Sequence, residues 1–113
     1  LDNTSNLDKT FMQKELDYVN ENLGEPDLNV EHLADDMSLS RSQLYRKIKA
    51  ITGMTANELI RKIRLKKAKQ MIESGSDSIS EVGFKVGFSS ASYFSKCFKN
   101  EFGILPTELK STT

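Results

Sequence analysis

Apolar residues recur along the chain at spacings of three and four, and no segment sustains the alternation of a half-buried strand. Phe11, Leu16, Val19 and Leu23 mark a first helix that Gly24 and Pro26 bring to an end. Asn29 is placed to cap a short second helix carrying Val30, Leu33, Ala34 and Met37. Ser40 and Gln43 have capping-box spacing, so a third helix opens there and runs to Gly53. Thr55 and Glu58 repeat the device at the head of a long helix ending near Gly75, and Ser78 and Glu81 repeat it again for a helix that stops before Gly87. Ser90 starts a helix that reaches Gly103, and Leu105-Pro106 opens a short last turn. The pattern predicts an all-α fold of about seven helices.

Two stretches repeat each other. Residues 30–53 and 79–103 align with an offset of 49, which becomes 50 after one inserted residue in the turn. Val30, Leu33, Ala34 and Met37 match Ile79, Val82, Gly83 and Val86; Ser40, Leu44, Ile48 and Gly53 match Ser90, Phe94, Phe98 and Gly103. Each copy reads as a short helix, a tight turn and a longer helix, with a small residue (Ala34 or Gly83) where the two helices approach. One helix-turn-helix pattern is a weak signal. Two in register are much stronger.

Helical spacing then assigns the faces. Leu44, Ile48 and Ile51 point inward, leaving Ser42, Tyr45, Arg46 and Lys49 outward; in the later copy Phe94, Phe98 and Phe102 point inward, leaving Ser92, Ser95, Lys96 and Lys99 outward. A major groove admits one helix, and its base edges are read by guanidinium, ammonium, hydroxyl and amide groups. Arg46 can fork onto guanine, the serines can donate or accept, and Tyr45 offers a ring edge to a thymine methyl. Ser40, Ser89 and Ser90, at helix starts, are placed to hold phosphate oxygens, and Lys49 and Lys99 to neutralise them. Plain N-capping is the simpler role for each of those serines, and the two roles can coexist.

The long helix has apolar residues on two faces, Ala56, Leu59, Ile60 and Ile63 on one and Leu65, Ala68 and Ile72 on the other, as a strut serving both copies would. The expected organisation is a first helix-turn-helix subdomain over 8–54, a linker helix over 55–75 and a second subdomain over 76–110. At roughly 28–30 Å, such a strut can set two reading helices about one DNA turn apart. Of its Arg61, Lys62, Arg64, Lys66, Lys67 and Lys69, spread around the axis, two or three are expected to touch DNA.

Charge sharpens the picture. The 113 residues carry no net charge, yet residues 1–40 have two Lys/Arg against ten Asp/Glu, while residues 41–70 have ten against only Glu58. The central block is a candidate polyanion-binding surface, and a solvated helix face is its bland alternative. The chain is the size of one domain, or of two small ones sharing a core, and holds one cysteine, Cys97, which excludes an internal disulfide framework. No apolar run is long enough for a membrane span and no signal-peptide pattern opens the chain. A cytoplasmic module, a piece of something longer because it opens on Leu1, is the expectation. Catalysis is not expected: His32 is the one histidine, and no Ser-His-Asp set, phosphate loop, cofactor motif or metal-ligand spacing is present.

The runs SRSQLYRKIKAITG, IRLKKAKQMI, ISEVGFKVGFSSASYFSKCFKNEFG and ILPTELK resemble the DNA-binding domain of AraC/XylS-type transcription regulators over residues 8–110. The resemblance implies a monomeric module reading adjacent major-groove segments of double-stranded DNA. The family's base-reading positions fall on Arg41, Ser42, Tyr45 and Arg46, and on Ala91, Ser92, Ser95 and Lys96. The chain is further similar to the output domain of Bacteroides-type hybrid two-component systems. That implies upstream sensor, histidine kinase and receiver domains, RNA polymerase as a partner, and a full-length protein that is dimeric and anchored in the inner membrane. Two departures stand out. Gly83 replaces the usual alanine, at a cost of roughly 1 kcal/mol in helix propensity, and is expected to loosen the second subdomain. Ala91, Ser92 and Ser95 are small, so the first reading face is expected to carry more of the base readout. The rival reading is a helical protein-interaction module that has lost DNA affinity, with the acidic N-terminal block docking an upstream domain or polymerase.

Overall fold

The computed structural model describes residues 6–25, 38–75 and 77–112, and six α-helices account for most of them. They are α1 (Asn6–Glu21), α2 (Arg41–Thr52), α3 (Ala56–Ser74), α4 (Ile79–Lys85), α5 (Ala91–Phe102) and α6 (Pro106–Thr112). The short helix expected from Asn29 through Met37 lies outside the described residues, as does His32. The chain divides into two compact units, Leu1–Asn22 with Leu28–Ile60, and Leu23–Asp27 with Arg61–Thr113.

In the first unit, α2 is set by its ends. The Ser40 hydroxyl accepts from the Gln43 amide at 3.1 Å, and the Gln43 side chain accepts from the Ser40 amide at 2.7 Å, a complete capping box. Gly53 closes the helix in the left-handed conformation (φ 75°), donating to the Lys49 carbonyl. Between these ends Leu44 and Ile48 are fully buried, while Ile51 is half-buried. The core is completed from α1 by Phe11 and Val19 and from α3 by Ala56, Leu59 and Ile60.

The α1 stripe differs from the one expected. Leu16 is only half-buried, and Glu15, four residues from both Phe11 and Val19, takes the inward position at 1% exposure. Neither of its carboxylate oxygens has a hydrogen-bond partner among the described residues, and burial pushes the carboxyl up from 4.5 to about 7.

The second unit is packed around aromatic rings. Phe88, Phe94, Phe98 and Phe102 form a chain of tilted and edge contacts with centroids 4.7–5.8 Å apart. Phe102, expected inward, is half-buried, and Cys97 takes a buried place on α5 beside Phe94 and Phe98. Leu65, Ala68 and Ile72 of α3 are buried, as are Val82 and Val86 from the α4 region. Buried positions on α3 fall on two faces, although Ile63, expected on the first, is half-buried, and the boundary between the units falls within that helix, after Ile60.

Two glycines are placed by close approach. A Cβ on Gly83 would lie 2.9 Å from Cδ2 of the buried Phe94 ring. The glycine that was expected to loosen this unit instead lets a ring settle against the α4 backbone, which offsets its propensity cost. Gly87 (φ 100°) has no room at all, since a Cβ would meet the Leu23 carbonyl and the Arg64 guanidinium. Arg64, expected among the surface charges, turns inward and donates from Nη2 to the Glu25 carbonyl at 2.6 Å. Burial leaves its Nε without a partner and lowers the guanidinium pKa from its ordinary value.

The third expected capping box is half made. The Ser78 hydroxyl accepts from the Glu81 amide at 3.2 Å, but the Glu81 carboxylate receives the Ser78 hydroxyl rather than its backbone N–H. The Thr55–Glu58 box at the head of α3 is complete.

Candidate nucleic-acid interface

The repeat in the sequence is a repeat in geometry, one copy to each unit. The helices α2 and α5 each have 12 residues, a serine N-cap (Ser40, Ser90) and a left-handed glycine C-cap (Gly53, Gly103) whose N–H reaches a lysine carbonyl (Lys49, Lys99). Among the described residues, the turn before each has one at positive φ, Ser38 (56°) in the first unit and Gly87 (100°) in the second. These two correspond under the offset of 49. With the inside of each helix fixed by Leu44 and Ile48 or by Phe94 and Phe98, helical geometry leaves the opposite face to solvent.

On α2 that face carries Arg41, Ser42, Arg46 and Lys49, all exposed, with Tyr45 half-buried among them. The Arg41 guanidinium lies over the Tyr45 ring, 5.5 Å from its centroid. The guanidinium and the ring are close enough for a cation–π attraction. Lys49 donates from Nζ to the Gly53 carbonyl at 3.0 Å, which ties its ammonium to the end of the helix. Arg41, Tyr45 and Lys49 also border a recess of about 460 Å³ whose other side is Thr55, Ala56 and Asn57 at the head of α3. All four base-reading and both phosphate-holding positions expected here (Ser40 included) lie together on one side of α2 or at its start.

The α5 face is smaller in its chemistry. Ala91, Ser92, Lys96 and Lys99 are exposed and Ser95 is half-buried. Ser89 and Ser90 are exposed at the helix start, where the Ser90 hydroxyl accepts from the Tyr93 amide and lies 3.2 Å from the Ser92 hydroxyl. Capping and the Ser92 hydroxyl therefore both engage the Ser90 side chain. Sequence reasoning passed over Tyr93, which is 50% exposed and has its ring 5.9 Å from Phe88. Its position three residues before Lys96 was the signal that could have found it.

The described residues contain no cluster of His, Cys, Asp and Glu able to hold a metal ion, and no helix long and apolar enough to cross a membrane. A family profile described as a helix-turn-helix domain matches residues 33–112. The chain belongs to the AraC-type helix-turn-helix family. Among AraC-type relatives, the HTH-type transcriptional activator RhaS of Mannheimia succiniciproducens is 38% identical over 90 residues, covering 80% of this chain and 34% of that protein. Histidine kinase P4 of Formosa agariphila is 36% identical over 107 residues, which is 95% of this chain but 8% of the kinase. The chain thus spans a small part of the curated relatives it matches. Among solved structures, the C-terminal domain of AraT, a response regulator from Geobacillus stearothermophilus, superposes with a TM-score of 0.80 at 28% identity, covering 98% of this chain and 88% of that one. The DNA-binding domain of AdpA, solved in complex with a target DNA, shares the fold with a TM-score of 0.78 at 24% identity, covering 89% of this chain and 90% of that one.

Proposed function

We propose that this AraC-type domain is a sequence-specific reader of double-stranded DNA that regulates transcription, with α2 and α5 entering adjacent major-groove segments. The observation that carries the proposal is the duplicated helix, built with the same caps and the same buried stripe, whose outer face is cationic and hydroxylated both times. In this reading residues 8–54 and 76–110 are the two reading subdomains and 55–75 is the helix that links them. Arg41, Ser42, Tyr45 and Arg46 read bases from α2; Ala91, Ser92, Ser95 and Lys96 read from α5; Ser40, Lys49, Ser89, Ser90 and Lys99 hold phosphates. The Arg41–Tyr45 pair and Arg46 make the first face the stronger base reader, while the small α5 side chains lean on backbone and shape.

The named functions of the relatives support the reading, a transcriptional activator and a response regulator domain among them. The kinase relative, to which this chain contributes so small a share, suggests that the domain is the output end of a longer signalling protein. Upstream sensor or receiver domains would then control when it reaches paired sites, and RNA polymerase would be its downstream partner. The domain itself performs no catalysis in this scheme and acts in the cytoplasm as a monomer. Exposed acidic residues on α1, such as Asp17 and Glu21, repel phosphate and suit a surface turned away from DNA, toward those upstream domains.

Selection of bound duplexes from a random pool tests the proposal. Two short conserved blocks separated by about one helical turn are expected. A pool that never enriches, or a single block unaffected by changes in α5, refutes it.

A further inference from the structure

The six basic residues of α3, two arginines and four lysines, are sorted by their surroundings. Arg64 is turned inward onto the Glu25 carbonyl. Lys62 pairs with Glu101 at 3.6 Å, and the Lys69 ammonium lies over the Phe102 ring, 5.1 Å from its centroid. Lys66 and Lys67 are exposed, and Lys66 lines a recess together with Lys62 and Lys69. Arg61 is in a different place. It opens onto a cleft of about 340 Å³ between α3 and α5, opposite Tyr93, Lys96 and Asn100, with Leu65 and Cys97 at its floor.

We propose that this cleft is a phosphate-binding site for the DNA strand beside the groove that α5 enters, with Arg61 as its anchor. The proposal rests on the reading of the domain as a DNA binder and adds a contact from the linking helix to it. Two cations, an amide and a phenol surround one opening, and no hydrogen bond or ion pair within the described residues engages the head groups of Arg61 or Lys96. The one carboxylate on the cleft, Glu101, is drawn to Lys62. A guanidinium offers a planar fork of donors that matches two phosphate oxygens, and Asn100 and the Tyr93 hydroxyl can complete the shell. Because Lys96 lies on the same cleft, a phosphate seated against Arg61 fixes how α5 approaches the base edges. Arg61 is thus a contact for the backbone, not for a base.

The test uses duplexes selected by the wild-type chain, with binding followed by fluorescence anisotropy across a salt series. Arg61→Ala is expected to weaken binding about tenfold at low salt, equally on selected and scrambled duplexes, and to lower the salt slope by about 1. Arg61→Lys restores the slope and only part of the affinity, since charge returns without the fork. Lys67→Ala is the control on the same helix, roughly 240° around the axis from Arg61, and is expected to leave the slope nearly unchanged. Uncharged methylphosphonate linkages scanned along the strand locate the contact. One position should weaken the wild-type chain and leave Arg61→Ala indifferent, a comparison that holds even where the variant has lost some stability. Wild-type affinity and slope in Arg61→Ala, or a loss confined to the selected sequence, overturn the site while DNA binding by the domain stands. A wild-type chain without salt-dependent binding overturns both.

Discussion

Replacing Glu15 by leucine should stabilise the protein, and by an amount that depends on pH. The side chain is 1% exposed between Phe11 and Val19, and neither carboxylate oxygen has a partner among the described residues. Burial raises its pKa from 4.5 to about 7. A carboxyl whose pKa is higher in the folded state favours folding most below the unfolded value, and that contribution is lost as pH rises toward the folded one. The window is therefore pH 4.5 to 7, with the wild-type chain least stable above it. At about 1.36 kcal/mol for each tenfold change in proton affinity, the difference between pH 5 and pH 8 is on the order of 2 kcal/mol. Leucine has similar bulk and no proton to exchange. Urea unfolding followed by circular dichroism at both pH values should give a gap between Glu15→Leu and wild type that is roughly 2 kcal/mol wider at pH 8. Glu15→Gln, which also cannot titrate, should show the same widening. Equal gaps at the two pH values would refute the reasoning, because they would mean that the carboxylate is solvated or paired in the folded state.

Gly83→Ala should lower stability by about 1–2 kcal/mol in the same assay, since overpacking against the buried Phe94 ring outweighs the roughly 1 kcal/mol of helix propensity gained. Ser38→Gly should raise stability by roughly 0.5–1 kcal/mol, because Ser38 holds φ at 56° where a Cβ is unfavourable. Arg46→Ala should cost about 1–3 kcal/mol of binding and relax the preference at one base pair, read by titrating single-base operator variants. Lys99→Ala should weaken every duplex alike, and a loss restricted to one sequence would reassign it to base readout.

The helix starts were legible because a capping serine or threonine and its partner three residues on are a local device, as at Ser40 and Thr55. The inward stripes of α2 and α5 were legible for a similar reason: Leu44 and Ile48, or Phe94 and Phe98, leave helical spacing no other arrangement. What the sequence hid were the charged residues that do not behave as surface. Glu15 continues the stripe from Phe11 to Val19, yet its type argued for solvent. The inward turn of Arg64 depends on a carbonyl 39 residues earlier in the chain. The fate of each α3 lysine is likewise decided by Glu101 and Phe102, far along the sequence, so no local pattern distinguishes Arg61 from its neighbours. Gly83 misled in the other direction. Propensity was readable and the Phe94 ring against it was not.

The most direct measurement of the central claim is the affinity of the chain for a selected duplex and its scrambled counterpart as salt is raised. The three cations placed on phosphates, Lys49, Lys99 and Arg61, at about 0.9 each predict a log–log slope of roughly −3 on both duplexes, with the selected one bound more tightly throughout. A slope shallower than about −1, or equal affinity for the two duplexes at every salt concentration, would contradict the account.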